Sequence, residues 1–270
     1  MRGVAVSAVI LCAAAGDFFF DPPDAIDVAP YDVVIMGEVH DNPAHHANQA
    51  AWVARMQPTA VVYEMLTPEL ADVGQKAGPD APDLGAVLQW EQRGWGDFSM
   101  YAPIFSAANG AAVYGGDVSR DALGQAMRHG AGQAMGDAAK LFGLDVPLLT
   151  SEQEARETMM AESHCGALPV SALPGMVEAQ RLRDAALAKA VIAALLSEGP
   201  PVAVITGNGH ARNDWGIPAA LHQAIDDTPL GDISVLTIGQ LETVPTTAQP
   251  FDVLTVSPAP ARDDPCDAFR

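Results

Sequence analysis

The stretch VVIMGEVHD, from Val33 to Asp41, decides the fold of this chain. It is a short apolar run of the kind that forms a buried strand, and it ends in polar residues that can do chemistry. Three later stretches repeat this arrangement, namely AVVYEM (Ala60 to Met65), AAVYGGDV (Ala111 to Val118) and VAVITGNGHAR (Val202 to Arg212). Four such runs, separated by helical sequence, predict an α/β fold with a mostly parallel central sheet flanked by helices.

The polar residues that follow the four runs are predicted to meet at one place. The carboxyl ends of parallel strands lie along one edge of an open sheet, and ligands bind in the crevice outside that edge. The residues delivered to this edge are Glu38, His40, Glu64, Asp117, His210 and Arg212. We therefore expect Glu38, His40, Glu64 and His210 to form one cluster.

The rest of the chain is organised around this sheet. In chain order we expect a signal-like leader (1–16), an extended lead-in (17–31), a single α/β domain (32–258) and a C-terminal tail (259–270). A largely helical insertion at about 119–198 separates the third strand from the fourth. Within it, Ser151 and Glu154 predict a capping box at the start of a helix. A long helix with a broad apolar stripe is predicted from Leu173 to Glu198.

Composition excludes some classes of partner. The chain has 34 acidic and 14 basic residues in 270, for a formal net charge of −20. Nucleic acid is therefore not an expected partner, because its phosphates need a basic surface. With 49% apolar residues the chain can bury a sizeable core.

The N-terminus and the cysteines indicate export. MRGVAVSAVILCAAAGD, from Met1 to Asp17, has the order of a secretory signal, and Cys12 makes it a lipoprotein candidate. We expect a periplasmic protein or one anchored to a membrane by a lipidated Cys12; the alternative is a cytosolic protein with an apolar first strand. In an oxidising compartment a Cys165–Cys266 disulfide is expected, and the alternative is two unrelated thiols.

The predicted cluster has the residue types of a hydrolase. Two histidines and two glutamates, His40, His210, Glu38 and Glu64, can hold a divalent metal ion that activates water. Without a metal, His40 supported by Glu38 or Glu64 can act as a general base. The alternative is a structural ion-pair network, because such networks also bury carboxylates beside cations.

Other residues near this edge suit a binding role. Gly207 and Gly209 permit positive φ and close backbone approach, which favours an anion, and Arg212 can pair with a carboxylate. One of His45 and His46 is expected to face the crevice, and at least one of them to be solvated.

Several motifs together resemble the ChaN family of haem-binding, iron-regulated proteins. The matching segments are GEVHDNP with HH and Q (Gly37 to Gln49), YEM (Tyr63 to Met65), WGDF and YAPI (Trp95 to Ile104), MVEAQRLRDAALA (Met176 to Ala188) and GNGHARNDWGIP (Gly207 to Pro218). The wider Tiki/erythromycin-esterase-like superfamily shares GExH, a glutamate after the second strand and a late histidine.

The resemblance implies export, haem binding and a role in iron acquisition. It also implies a haem-linked homodimer and outer-membrane or periplasmic uptake components as partners. In some members a tyrosine binds iron and a histidine lies near the propionates. Among the four tyrosines, Tyr101 and Tyr114 are the better candidates for iron, with a crevice histidine as the alternative, and Arg212, His210, His45 and His46 are candidates for contacts with haem.

Overall fold

The computed structural model describes residues 21–264 and 266–267 of the chain, so the predicted leader and Cys12 lie outside the described residues. One parallel sheet of six strands is present, in the order β3-β2-β4-β1-β5-β6. The strands are β1 (Val33–Met36), β2 (Ala60–Tyr63), β3 (Ala112–Gly115), β4 (Val202–Ile205), β5 (Val235–Leu241) and β6 (Val253–Val256). The predicted α/β class is confirmed, and the four runs form four neighbouring strands.

Helices connect the strands and cover both faces of the sheet. They are α1 (Pro43–Met56), α2 (Pro68–Ala77), α3 (Leu84–Val87), α4 (Ala102–Ala107), α5 (Arg120–His129), α6 (Ala131–Met135), α7 (Thr150–Ser163), α8 (Leu173–Glu198), α9 (Asn208–Ala211) and α10 (Ile217–Ile225). Between β3 and β4 the chain is helical, with short 3₁₀ turns. The long helix α8 has the predicted bounds.

Alternation along the strands divides the core in two. Val34, Val61 and Ala203 belong to one apolar cluster, which α1 and α4 complete. Their neighbours Val33, Val62 and Val204 belong to the other, with the middle of α8. Both faces of every central strand are thus buried, as is usual for parallel sheets, and this explains why their sequences are continuously apolar.

Local capping is partly as the sequence predicts. Asn42 accepts a hydrogen bond from the Ala44 N–H (3.0 Å) and so caps α1. The capping box at Ser151 is wrong, because α7 begins one residue earlier, at Thr150, with Leu149 at its N-cap and no side-chain cap. Ser151 is therefore inside the first turn of the helix.

A disulfide joins the predicted pair of cysteines. Cys165 follows α7, Cys266 lies in the C-terminal tail, and their Cα atoms are 5.6 Å apart. Among residues 21–264 and 266–267, no helix combines the length and apolarity needed to cross a bilayer.

Candidate functional site

The structure brings Glu38, His40, Glu64 and His210 together at the carboxyl ends of β1, β2 and β4. His40 Nε2 lies 3.9 Å from Glu64 Oε1, and His210 Nε2 lies 3.5 Å from the same oxygen. His40 Nδ1 is 2.8 Å from Glu38 Oε1. The strands β1, β4 and β2 are adjacent in the sheet, so the loops after them share one edge. We call these four residues the carboxylate–histidine cluster.

Glu38 is the innermost member of this cluster and is 2% exposed. Its Oε1 accepts hydrogen bonds from the Tyr101 hydroxyl (2.6 Å) and from His40 Nδ1. Its Oε2 lies 3.3 Å from Nδ1 of the buried His46. Burial alone would raise the pKa of Glu38, but contacts with His40 and His46 outweigh it and lower the pKa to about 2.

His40 is the exposed member of the cluster. Its side chain is 42% exposed, and its ring lies 5.3 Å from the Trp95 ring. Burial opposes a positive charge here, but the carboxylates of Glu64 and Glu38 raise the pKa of His40 to about 9. His40 is therefore an imidazolium at neutral pH, so it is suited to bind an anion or to donate a proton and is not suited to act as a general base.

Glu64 is 3% exposed, and its hydrogen bonds come from the loop after β4 and from α8. Its Oε2 accepts from the Thr206 hydroxyl (2.8 Å) and the Gly207 N–H (2.7 Å). Its Oε1 accepts from Arg183 Nη2 at 2.6 Å. Burial opposes the charge, yet His210, His40 and Arg183 hold the pKa of Glu64 well below its usual range.

His210 is paired on its other side with a second buried carboxylate. Its Nδ1 lies 2.6 Å from Asp184 Oδ1, and Asp184 is 2% exposed. Burial raises the pKa of Asp184. Arg183 Nε lies 3.4 Å from His210 Nε2, so this arginine contacts both Glu64 and His210.

The sequence analysis did not predict three residues of the site, namely Arg93, Arg183 and Asp184. Arg183 and Asp184 lie on α8, inside a helix predicted to be a buried core element, and Arg93 ends a 3₁₀ turn. Arg183 Nη1 lies 3.4 Å from Asp117 Oδ1, and Arg93 pairs with Asp117 through Nη2. A signal was present, because an arginine and an aspartate in the middle of an apolar stripe need buried partners.

The expected divalent metal site is not supported. No group of three or more His, Cys, Asp or Glu within the described part of the chain is arranged to hold a metal ion. The physical reason is the Arg183 guanidinium, which contacts Glu64 and His210 and already supplies the positive charge there. Glu38 Oε1 and His40 Nδ1 are bonded to each other.

Gly207, in the loop after β4, is needed for the space that it leaves to its neighbours and not for its backbone dihedral angles. Gly207 has φ −65, so it does not need positive φ. A Cβ atom at Gly207 would lie 2.9 Å from His40 Nε2 and 3.6 Å from Glu64 Oε2. Gly207 thus permits the close backbone approach that was predicted. Its N–H donates to the carboxylate of Glu64 rather than to an external anion.

Arg212 and His45 have partners within the protein. Arg212 bonds to Asp214 (Nε to Oδ1, 2.6 Å) and stacks on Trp215, its Cζ being 3.8 Å from the ring centroid. His45 Nδ1 accepts from the Val39 N–H at 3.0 Å, and burial lowers the pKa of His45. Like His46, it is buried, so the expectation of a solvated histidine in this pair is wrong.

The two tyrosines proposed for iron differ in access. Tyr101 is fully buried, packs on Trp90 at 4.6 Å between ring centroids, and donates its hydroxyl to Glu38. Burial and Glu38 raise the pKa of Tyr101 far above its usual value, so this placement does not favour a phenolate ligand. Tyr114 lies on β3, is half-buried, and donates its hydroxyl to Glu198 Oε1 at 3.2 Å.

Two neighbouring cavities lie beside β3. The first, here called the edge cavity, has a volume of about 700 Å³ and includes Val113, Tyr114, Met135, Leu182, Ala186 and Lys189 in its lining. The second, here called the arginine cavity, has a volume of about 640 Å³ and includes Arg93, Trp95, Ser119, Arg120 and Arg183. Asp117 and Val118 line both cavities, so the two are adjacent.

Comparison with known proteins places this geometry in a family. Residues 25–221 match the family described as "Haem-binding uptake, Tiki superfamily, ChaN". No curated protein sequence matches significantly. The structure is similar to that of ChaN of Campylobacter jejuni, described as "Cofacial heme binding to ChaN of Campylobacter jejuni", with a TM-score of 0.58 and 16% identity over 82% of this chain and 86% of that one.

A second solved structure is less similar. It is the type III effector HopBA1, with a TM-score of 0.45 and 12% identity over 84% of this chain and 88% of that one. The family match covers more than two thirds of the chain and includes every residue of the carboxylate–histidine cluster. This chain belongs to the ChaN family of haem-binding uptake proteins in the Tiki superfamily.

Proposed function

We propose that this chain is an exported haem-binding protein that serves haem or iron acquisition, and that the porphyrin occupies the edge cavity. The observation that carries this assignment is an apolar cavity of about 700 Å³ with one phenol, Tyr114, in its lining. Ligand pockets are usually apolar clefts of roughly 300–1,000 Å³ with a few polar groups. Family membership supports the choice of haem.

The lining of the edge cavity fits the chemistry of haem. Apolar side chains of β3, α6 and α8, including Val113, Met135 and Leu182, suit the porphyrin faces. Tyr114 supplies the phenol oxygen for iron, as tyrosine does in some haem proteins. Lys189 is exposed on the rim and can pair with a propionate. Bound haem would supply the iron centre, and the chain's part is to bind and orient it.

The disulfide and the family membership support the proposals of export and of uptake partners. A disulfide between Cys165 and Cys266 suits an oxidising compartment such as the periplasm. A lipidated Cys12 would then anchor the chain to a membrane, and periplasmic or outer-membrane uptake components would be its partners. Because the structurally similar ChaN of Campylobacter jejuni binds haem cofacially, we also propose that haem links two copies of this chain.

The test is a haem titration of the apo-protein followed at the Soret band, with light scattering to measure mass. Tyr114→Phe is expected to weaken binding by more than about tenfold and to change the spectrum, since even residues behind a metal ligand contribute that much. Tyr31→Phe is the matched control, because Tyr31 lies before β1, away from the edge cavity. Haem should also increase the mass of the wild-type protein toward that of a dimer.

The alternative function, hydrolysis by the carboxylate–histidine cluster, is tested with the same preparations. His40→Gln would abolish turnover of a model ester if His40 took part in the reaction. Saturable haem binding without ester turnover supports the proposal. If the protein binds no haem and His40→Gln abolishes an ester turnover that the wild type shows, the hydrolase function would replace the proposal of haem binding.

A further inference from the structure

The arginine cavity concentrates positive charge in a strongly acidic protein. Three of the chain's 14 basic residues, Arg93, Arg120 and Arg183, line this one cavity. Asp117 is the acidic residue in its lining. Glu64 does not line the cavity but pairs with Arg183, so three positive charges meet two negative ones, a local excess of one positive charge in a chain whose formal net charge is −20. This local reversal of sign indicates an anionic ligand.

The three arginines differ in how many of their guanidinium donors are already bonded to other residues. Arg183 is held by Glu64 at 2.6 Å and by Asp117 at 3.4 Å, which fixes its guanidinium in place. Arg93 uses Nη2 on Asp117, and its Nη1 bonds to no other described residue. Arg120 is exposed, and its side chain makes no hydrogen bond or ion pair within residues 21–264 and 266–267. Guanidinium donors are thus left for a ligand at one side of the cavity.

The walls of the arginine cavity add two further features. Trp95 forms part of one wall and stands between Gly94 (φ +89) and Gly96 (φ +78), where the left-handed backbone favours glycine. Its ring can stack on a planar group. Ser119 and Arg120 begin the ten-residue helix α5, whose N-terminal dipole end adds positive potential.

We propose that the arginine cavity binds a small dianion, a phosphate monoester or a dicarboxylate, with a planar group of the ligand against Trp95. The two charges of a dianion can pair with the free guanidinium donors of Arg93 and Arg120. The guanidinium fork suits both phosphate and carboxylate oxygens. The site differs from the edge cavity, whose lining includes none of these three arginines, and the proposal does not rest on haem binding.

The experiment is calorimetric titration of the full-length protein with four probes. Inorganic phosphate and succinate are the two kinds of dianion, adenosine monophosphate adds a planar ring, and adenosine is the uncharged control. We expect saturable binding of at least one dianion, tighter binding of adenosine monophosphate than of phosphate, and none of adenosine. Comparison of the affinities for phosphate and for succinate decides which kind of dianion the cavity binds.

Two variants locate the site. Arg120→Gln is expected to weaken binding by about tenfold or more, the usual loss of a charged hydrogen bond, and it should not disturb folding because Arg120 is exposed. Arg128→Gln, also exposed and on the same helix, is the matched control and should bind as wild type. Circular dichroism melting verifies that both variants are folded.

Three outcomes would overturn the proposal. One is the absence of saturable binding for every dianion. Another is an equal loss in Arg120→Gln and Arg128→Gln, which would indicate nonspecific attraction. The third is that haem-loaded protein no longer binds the dianion that apo-protein binds, because the arginines would then serve the propionates of haem.

Discussion

At the scale of single residues, Glu64 is the centre of the carboxylate–histidine cluster, because basic side chains reach it from three elements. Arg183 comes from α8, His210 from α9 and His40 from the loop after β1, while the N–H of Gly207 and the hydroxyl of Thr206 complete its hydrogen bonds. A buried carboxylate with this many partners holds its neighbours in place as much as they hold it.

We predict that Glu64→Gln destabilises the protein by about 3 kcal/mol at pH 7, because it leaves Arg183 without its main partner. Thr206→Val, the control, removes one hydrogen bond to the same carboxylate and should cost about 1 kcal/mol. Urea unfolding monitored by circular dichroism measures both. Equal, small losses would mean that Arg183 is solvated rather than held by Glu64.

This difference should depend on pH in a defined direction. The pKa of Glu64 in the folded protein lies far below the ordinary value of 4.5. A carboxyl with a lowered pKa stabilises the fold fully above its unfolded pKa and loses that contribution as pH falls. The stability gap between the wild type and Glu64→Gln should therefore begin to narrow as pH falls below about 4.5 and continue to narrow toward the much lower folded-state pKa of Glu64, whereas a gap that does not narrow at all in acid would contradict the assignment.

Residue identities in the site were partly predictable from sequence. Glu38, His40, Glu64 and His210 follow strand-like runs, and position after a strand is a local signal. Arg183 and Asp184 follow no strand. Their place in an apolar stripe indicates that they need buried partners but not which ones, because which face of α8 meets β2 and β4 depends on tertiary packing. The role of Tyr101 was equally hidden, since only the folded chain places its hydroxyl 2.6 Å from Glu38.

At the scale of elements, strands and long helices were predictable while short turns were not. The apolar stripe of α8 predicted this helix with its observed bounds, and the apolar run from Ala60 to Met65 contains β2. The segment between α2 and β3 forms only the short helices α3 and α4 and 3₁₀ turns. Gly94, Gly96 and the packing of Trp90 against Phe98 and Phe105 interrupt the helix there, and aromatic packing is not a periodic signal.

The loop between β4 and α9 supplies an element-scale prediction. Gly207→Ala is expected to displace His40 and to cost about 1–3 kcal/mol, because its Cβ would lie 2.9 Å from His40 Nε2. Gly209→Ala is the control: its Cβ would lie 3.7 Å from Gln180 Nε2, an ordinary contact, and alanine favours a helix. Thermal melting and the ¹H–¹⁵N spectrum of His40 measure the two effects. An undisturbed His40 in Gly207→Ala would show that the loop yields.

At the scale of the whole molecule, the C-terminal tail is tied to the body at two places. Near β1, Arg262 pairs with Asp41 at 2.5 Å and also with Glu242, and Asn42 Nδ2 donates to the Pro258 carbonyl at 3.1 Å. Near α7, Cys266 is bonded to Cys165. The tail therefore runs from the edge of the sheet that carries the cluster to the helical segment between β3 and β4.

The disulfide gives a prediction for the stability of the whole chain. Its cysteines are 101 residues apart, and closing a loop of that size restricts the unfolded chain by about 4–5 kcal/mol in the loop-entropy account. Cys165→Ser with Cys266→Ser should thus lower the free energy of unfolding by up to about 4 kcal/mol. The contacts of Arg262 and Asn42 should keep the tail docked in the folded state, because they do not depend on the disulfide. Reductant provides the control, since it should bring the wild type to the stability of the double variant and leave that variant unchanged. If neither reductant nor substitution alters the urea midpoint, the two cysteines are unpaired in solution, and the argument for an oxidising compartment loses its structural support.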